Sequence, residues 1–185
     1  SQWRRRSSQG KGIEMSDSHD TNPILNRFKL DLHWPTLDPF LFAAHHLDRY
    51  PAGNAMLGLE SVALQGRPIG ADFQLKDGWR MYHGSVVPGF PRHPHRGFET
   101  ITIADQGFID HSDSMGATAR FGGGDVQWMT AGRGIAHSER TPSALRTRQT
   151  SLAGIQTWVA LPHGMEETDP GFTHHPRETL PIISE

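Results

Sequence analysis

The chain has 185 residues, a formal net charge of −2 and no cysteine. This excludes a disulfide scaffold, a thiol nucleophile and a thiolate metal site, and gives no basis for a nucleic-acid surface. Its 20 glycines and 13 prolines favour short strands joined by turns over a helical bundle, whose interiors avoid both residues. With no apolar run near the roughly 18 residues of a membrane helix and no signal-peptide pattern, the expectation is a soluble cytoplasmic protein with one cored domain plus extra segments.

Residues 1–20 are polar and aperiodic and read as a disordered leader, with Met15 as the expected start. Arg4, Arg5 and Arg6 within it read as a solvated tail. Residues 23–50 carry apolar clusters (Ile24, Leu25, Phe28, Leu30, then Phe40, Leu41, Phe42) and read as short strands. Residues 51–80 are punctuated by Gly and Pro and read as an inserted excursion, with a short helix expected near residues 73–75. The pattern then sharpens. Strands are expected at 82–87, 98–104, 108–111, 117–121, 126–129, 135–138 and 152–160, separated by turns such as Gly122-Gly123-Gly124-Asp125. Short strands at this spacing indicate an antiparallel sandwich or barrel. Residues 166–185, rich in Pro and charge, read as a linker-like tail, so the domain proper is expected over 21–165.

Twelve histidines are the one unusual count. Residues two apart in an extended chain share a face, so His93 and His95 can present two imidazoles to one point. Pro94 stiffens the pair and holds His93 extended. If extension continues, Glu99, Ile101 and Ile103 share that face. His137-Ser138-Glu139 repeats the spacing and offers an imidazole and a carboxylate. Either pair alone is a weak signal. Together, on adjacent strands, they supply three nitrogens and one oxygen, which suits one borderline divalent metal such as Fe(II), Mn(II), Ni(II), Cu(II) or Zn(II). Glu99 competes with Glu139 for the carboxylate role.

The remaining candidates read more plainly. His111 is expected beside a site or on the surface, not as a ligand. His45-His46 and His174-His175 are sequential, so each pair diverges if extended. The Gly122–Gly124 run lacks the Lys and Ser/Thr of a phosphate loop and reads as a turn. Trp128 and Met129 read as core packing. Arg96 and Arg133 read as solvated loop residues, with attraction of an anionic substrate as the alternative.

At these residues the sequence resembles the pirin family, whose members are built from two cupin domains. The resemblance rests on Pro39-Phe40-Leu41, Gly89-Phe90-Pro91, His93 to Thr100, His111 to Ser114, and Gly124 to Ile135 running into His137-Ser138-Glu139. Gln156, Trp158 and Leu161-Pro162 match as well. It covers roughly residues 30–180 with a gap at 51–80, a segment similar to the insertion of a longer bacterial subgroup. It implies an all-β, cupin-type antiparallel β-barrel or jelly roll, and a non-haem iron held by His93, His95, His137 and Glu139. In the general cupin pattern the first-motif carboxylate, here Glu99, is a ligand; the pirin resemblance favours Glu139, leaving Glu99 to steer a histidine. The family's second cupin domain has no counterpart in these residues, which reads as a fragment or a shortened member.

Two functions follow from the resemblance. One is a quercetin 2,3-dioxygenase-like enzyme acting on a phenolic small molecule and O2, with Glu139 also accepting the substrate's hydroxyl proton. The other is an iron-dependent redox-sensing regulatory or protein-binding module without turnover. The sequence contains no recognisable partner motif, so the enzyme reading ranks first.

Overall fold

The computed structural model describes residues 29, 31–141 and 149–183. The expected leader, and Ile24, Leu25, Phe28 and Leu30 of the first apolar cluster, lie outside the described residues. Among the described residues nine antiparallel strands form two facing sheets. They are β1 (Phe40–Tyr50), β2 (Gly89–His95), β3 (Phe98–Gln106), β4 (Phe108–Asp113), β5 (Thr118–Gly122), β6 (Asp125–Thr130), β7 (Ile135–Arg140), β8 (Thr150–Ala160) and β9 (Gly171–His175). One sheet has the order β1-β8-β3-β6-β9 and the other β2-β7-β4-β5. The molecule is thus the all-β, single-domain cupin sandwich that the turn spacing and the resemblance implied. Among the described residues no helix is long and apolar enough to cross a membrane.

Side-chain alternation explains which residues enter the interior. On β3 the buried set is Thr100, Thr102 and Ala104, and its neighbours bring in Gln127 and Met129 from β6. Across β3, Thr102 pairs with Gln156 and Thr100 with Trp158 of β8. One core cluster gathers Tyr50, Leu59, Trp79, Met81, Ala104, Ile109, Phe121 and Leu152, and a smaller one holds Met129, Ala131 and Ile135.

Five expectations are corrected. Ile101 and Ile103 do not continue the face of His93 and His95: Ile103 is 40% exposed. The chain turns at Gly97, with φ of 82°, and passes from one sheet to the other, so the parity of β2 does not carry into β3. Residues 82–87 form no strand. Residues 51–80 are not an excursion, because Leu59 and Trp79 sit in the main core. Their helical turns fall at Ser61–Leu64 and Lys76–Gly78, not at 73–75. Arg67 pins this segment, bonding Asp72 at 2.8 Å and lying 3.4 Å over the Trp79 ring centroid. Finally, the tail expected as a linker contains β9, which pairs with β6 from Val126↔His175 to Thr130↔Gly171. Pro170 and Pro176 flank the strand without interrupting it, which hides it in composition.

Candidate metal centre

The site is built on the inner face of the four-stranded sheet, where β7 lies between β2 and β4. The register sets His93 opposite His137 and His111 opposite Glu139, with Asp113 opposite His137. The i, i+2 pairs read from the sequence are therefore neighbours across strands as well as along them. Gly89, at φ of 116°, allows β2 to approach β7 closely: a Cβ there would run into the Glu139 carbonyl oxygen.

His93, His95 and His137 each bring a nitrogen donor within 4.8 Å of the others. The Nε2 atoms of His93 and His95 are 3.0 Å apart. Metal–nitrogen bonds of about 2.1 Å set at a right angle would separate two nitrogens by about that distance. His93 Nδ1 lies 2.8 Å from the Pro91 carbonyl oxygen, to which only an N–H can bond, so His93 Nε2 carries a lone pair. His137 is 1% exposed, and its Nε2 has no hydrogen-bond partner among the described residues. A buried imidazole nitrogen without a partner is costly unless something else satisfies it. Burial, reinforced by the neighbouring histidines, lowers the pKa of His95 to about 4 and of His137 to about 3. Both rings are therefore neutral at pH 7, as metal ligation requires. The residues fit a divalent cation.

Behind His137 stands a support that spacing alone did not single out. His137 Nδ1 lies 3.4 Å from His111 Nδ1, and His111 Nε2 lies 3.0 Å from Asp113 Oδ2. The carboxylate accepts, so His111 carries its proton on Nε2. His111 Nδ1 then accepts from His137 Nδ1–H, and His137 Nε2 is left as the lone pair. Asp113 is fixed in turn by the backbone N–H groups of Met115 (2.8 Å) and Ala117 (3.1 Å). Burial pushes its pKa up, but the His111 and backbone hydrogen bonds outweigh this and hold it below the ordinary carboxylate range. The ring of Phe172, on β9, stacks on His111 with centroids 4.3 Å apart. His111 is 3% exposed, so of its two expected positions it takes the one beside the site. His111-x-Asp113 repeats the i, i+2 spacing and was the available signal.

Glu139 belongs to a second, overlapping group with His111 and His137. Its Oε1 accepts from Gln127 Nε2 at 3.0 Å and its Oε2 from Gln156 Nε2 at 2.9 Å. These amides, from β6 and β8, bridge the two sheets through one carboxylate. A carboxylate offers about four lone-pair sites, so both bonds leave capacity for a cation. Glu99 belongs to neither group and accepts from Thr130 Oγ1 at 2.6 Å; among the described residues it bonds no histidine.

A cavity of about 560 Å³ opens onto His93, His95 and Glu139. Its apolar wall includes Phe42, Phe73, Tyr82, Phe90 and Trp158, so Phe73 of the 51–80 segment and the residues that follow that segment shape the cavity. Trp158 stacks on Phe98 at 4.8 Å and meets His95 edge-on at 5.3 Å. Trp128 is 41% exposed and lies on the outer face of its sheet, contrary to expectation, whereas Met129 is fully buried. Arg96 pairs with Glu167 at 2.6 Å and Arg133 with Asp169, so both bind the 162–169 loop and neither lines the cavity.

Known proteins resemble this chain in sequence and in fold. A Caulobacter vibrioides "Pirin-like protein" is 49% identical over 94 residues, covering 48% of this chain and 32% of its own length. Human "Pirin" is 39% identical over 101 residues, covering 54% and 33% respectively. The chain thus spans about a third of the length of these curated relatives. The crystal structure of a quercetin 2,3-dioxygenase from Acinetobacter baumannii superposes with a TM-score of 0.57 at 29% identity, over 80% of this chain and 41% of that one. The family model described as "Pirin" matches residues 26–159, a span that includes all three clustered histidines and Glu139, and the chain belongs to the pirin family.

Proposed function

We propose that this chain is a metal-dependent cupin of the quercetin 2,3-dioxygenase type, using Fe(II) held by His93, His95, His137 and Glu139 and acting on a flavonol or similar phenol with O2. The observation that carries this reading is one juxtaposition: three imidazole donors within 4.8 Å of one another, opening onto an aromatic-walled cavity of about 560 Å³. That volume is in the range of small-molecule sites, about 300–1,000 Å³. Mn, Ni, Cu or Zn would suit the same donors.

When bound, the metal supplies Lewis acidity toward a phenolic oxygen and the one-electron chemistry that O2 activation requires. The protein's residues do the remainder. Pro91, His111 and Asp113 fix the ring tautomers so that the lone pairs of His93 and His137 are available to a cation. Phe90 and Trp158 hold a planar substrate and keep water from it. Glu139, oriented by Gln127 and Gln156, accepts the substrate's hydroxyl proton.

The test is metal analysis of protein purified without chelator, followed by O2 consumption with a flavonol. The expected result is near-stoichiometric metal and flavonol-dependent O2 uptake that His137→Ala abolishes while the fold, read by circular dichroism, persists. Tightly bound metal with no uptake would replace this reading with the iron-dependent regulatory module.

A further inference from the structure

A second polar device lies in the cavity wall, on the other sheet from the histidine triad. On β1, His46 and Asp48 share the inner face, His46 pairing with Gly154 and Asp48 with Leu152 of β8. Asp48 is fully buried. Tyr82 Oη lies 2.8 Å from Asp48 Oδ2, and His46 Nδ1 lies 2.9 Å from Tyr82 Oη. Arg80 Nη1 reaches Asp48 at 3.4 Å and Tyr82 Oη at 3.5 Å.

These contacts set a proton order. The phenol proton is directed at the Asp48 carboxylate, on which Arg80 Nη1 also donates; burial pushes the Asp48 pKa up, and the Tyr82 hydrogen bond and the Arg80 charge oppose that shift. Burial and Asp48 push the Tyr82 pKa well up, so the phenol stays protonated. Having donated, Tyr82 Oη can only accept from Arg80 and His46, so His46 carries its proton on Nδ1. Its Nε2 then holds a lone pair and has no hydrogen-bond partner among the described residues. Burial lowers the His46 pKa to about 4, and the ring is a neutral acceptor at pH 7.

The position relates this acceptor to the metal centre. His46 lines the same cavity as His93, His95 and Glu139. The Phe90 ring neighbours both ends, 6.0 Å from the His46 ring and 6.2 Å from the His93 ring by centroid. A planar ligand held at the metal end along Phe90 would bring its far edge toward His46. We propose that His46 is a substrate-binding residue that accepts a hydrogen bond from a hydroxyl remote from the metal-bound end, selecting aromatic ligands with two separated hydroxyl groups. Asp48, Tyr82 and Arg80 are its positioning residues. This inference rests on the reading of the cavity as a flavonol site.

The experiment uses the metal-loaded protein without O2, titrated by fluorescence with quercetin and with 3-hydroxyflavone, which keeps the chelating end and lacks the distant hydroxyls. The wild type is expected to bind quercetin about tenfold more tightly, the effect of one hydrogen bond. His46→Phe should bring the two ligands to equal affinity with metal content unchanged, and His46→Gln, which retains an acceptor, should recover part of the ratio. Discrimination in His46→Phe equal to that of the wild type overturns the assignment while leaving the flavonol site intact. If the wild type binds neither ligand, the flavonol reading fails and this one with it. Should His46→Phe not fold, the nitrogen-15 shifts of His46 in the wild type and in Tyr82→Phe decide. An Nδ1–H ring that loses its tautomer preference in Tyr82→Phe supports the assignment; an Nε2–H ring in the wild type overturns it.

Discussion

His111 and His137 meet through their Nδ1 atoms, 3.4 Å apart, so the proton of one ring decides which nitrogen the other offers to a cation. The decision is made at Asp113, whose carboxylate accepts from His111 Nε2–H at 3.0 Å. A surface aspartate would do this poorly, but the side chains of His111 and Asp113 are both fully buried, where a hydrogen bond is stronger and an unmade one more costly.

Asp113→Asn tests this relay. The asparagine carbonyl can still accept from Met115 and Ala117, while its amide faces His111 Nε2 and reverses the proton order. Metal affinity, measured by competition with a chromogenic chelator, is expected to fall about 10–100-fold with little change in secondary structure. Unchanged affinity would show that His137 keeps its tautomer without Asp113.

Glu139 has a structural role that can be separated from ligation. Removing its carboxylate in Glu139→Ala leaves the fully buried Gln127 amide without its acceptor and leaves Gln156 only its bond to Thr102 Oγ1 within its own sheet, so neither amide bridges the sheets. The metal-free variant should lose about 1–3 kcal/mol of stability by urea unfolding. If metal-free stability is unaffected, the two glutamine bonds do not hold the sheets together.

Gly89→Ala should weaken both fold and site. A Cβ at this position meets the Glu139 carbonyl oxygen, and the backbone sits at φ of 116°, a conformation L-residues rarely adopt. Strand β2 would have to move off β7, separating His93 from His137. A stability loss of about 1–3 kcal/mol is expected together with weaker metal binding, read by thermal unfolding with and without metal.

His46 makes the metal-free protein acid-sensitive. Its pKa is lowered to about 4, by burial first; Glu139 opposes the shift, and Arg80, His45 and His33 add to it. In the unfolded chain the ring takes a proton near pH 6.5, and in the folded protein only near 4. The unfolded state therefore binds more protons between these values, and stability contributed by the neutral ring is lost as pH falls from about 6.5 toward 4. His46→Gln should remove up to about one proton from that slope, or about 1.4 kcal/mol per pH unit, in urea titrations across the window. An equal slope in the variant would mean that the ring is accessible to protons in the folded state.

The sequence by itself determined the donor pairs. Strand alternation is local, so His93 with His95 and His137 with Glu139 are legible from spacing once the segments are taken as extended, and glycine turns mark most strand ends. It also determined the all-β class, because Gly and Pro at this frequency break helices wherever they fall. Only the tertiary structure decided how the pairs meet. The β2–β7 register, which shifts by a bulge between Phe90 and His93, puts His93 against His137, whereas Glu139 faces Gln127 and Gln156 from the opposing sheet. The turn at Gly97 moves Glu99 and the isoleucines of β3 to a different face, which a rule of uninterrupted alternation could not anticipate. The same holds for β9 and for the 51–80 segment. Phe172 reaches His111, and Trp79 reaches the core, through pairings between residues distant in the chain, and such contacts leave no periodic trace in the segments that make them.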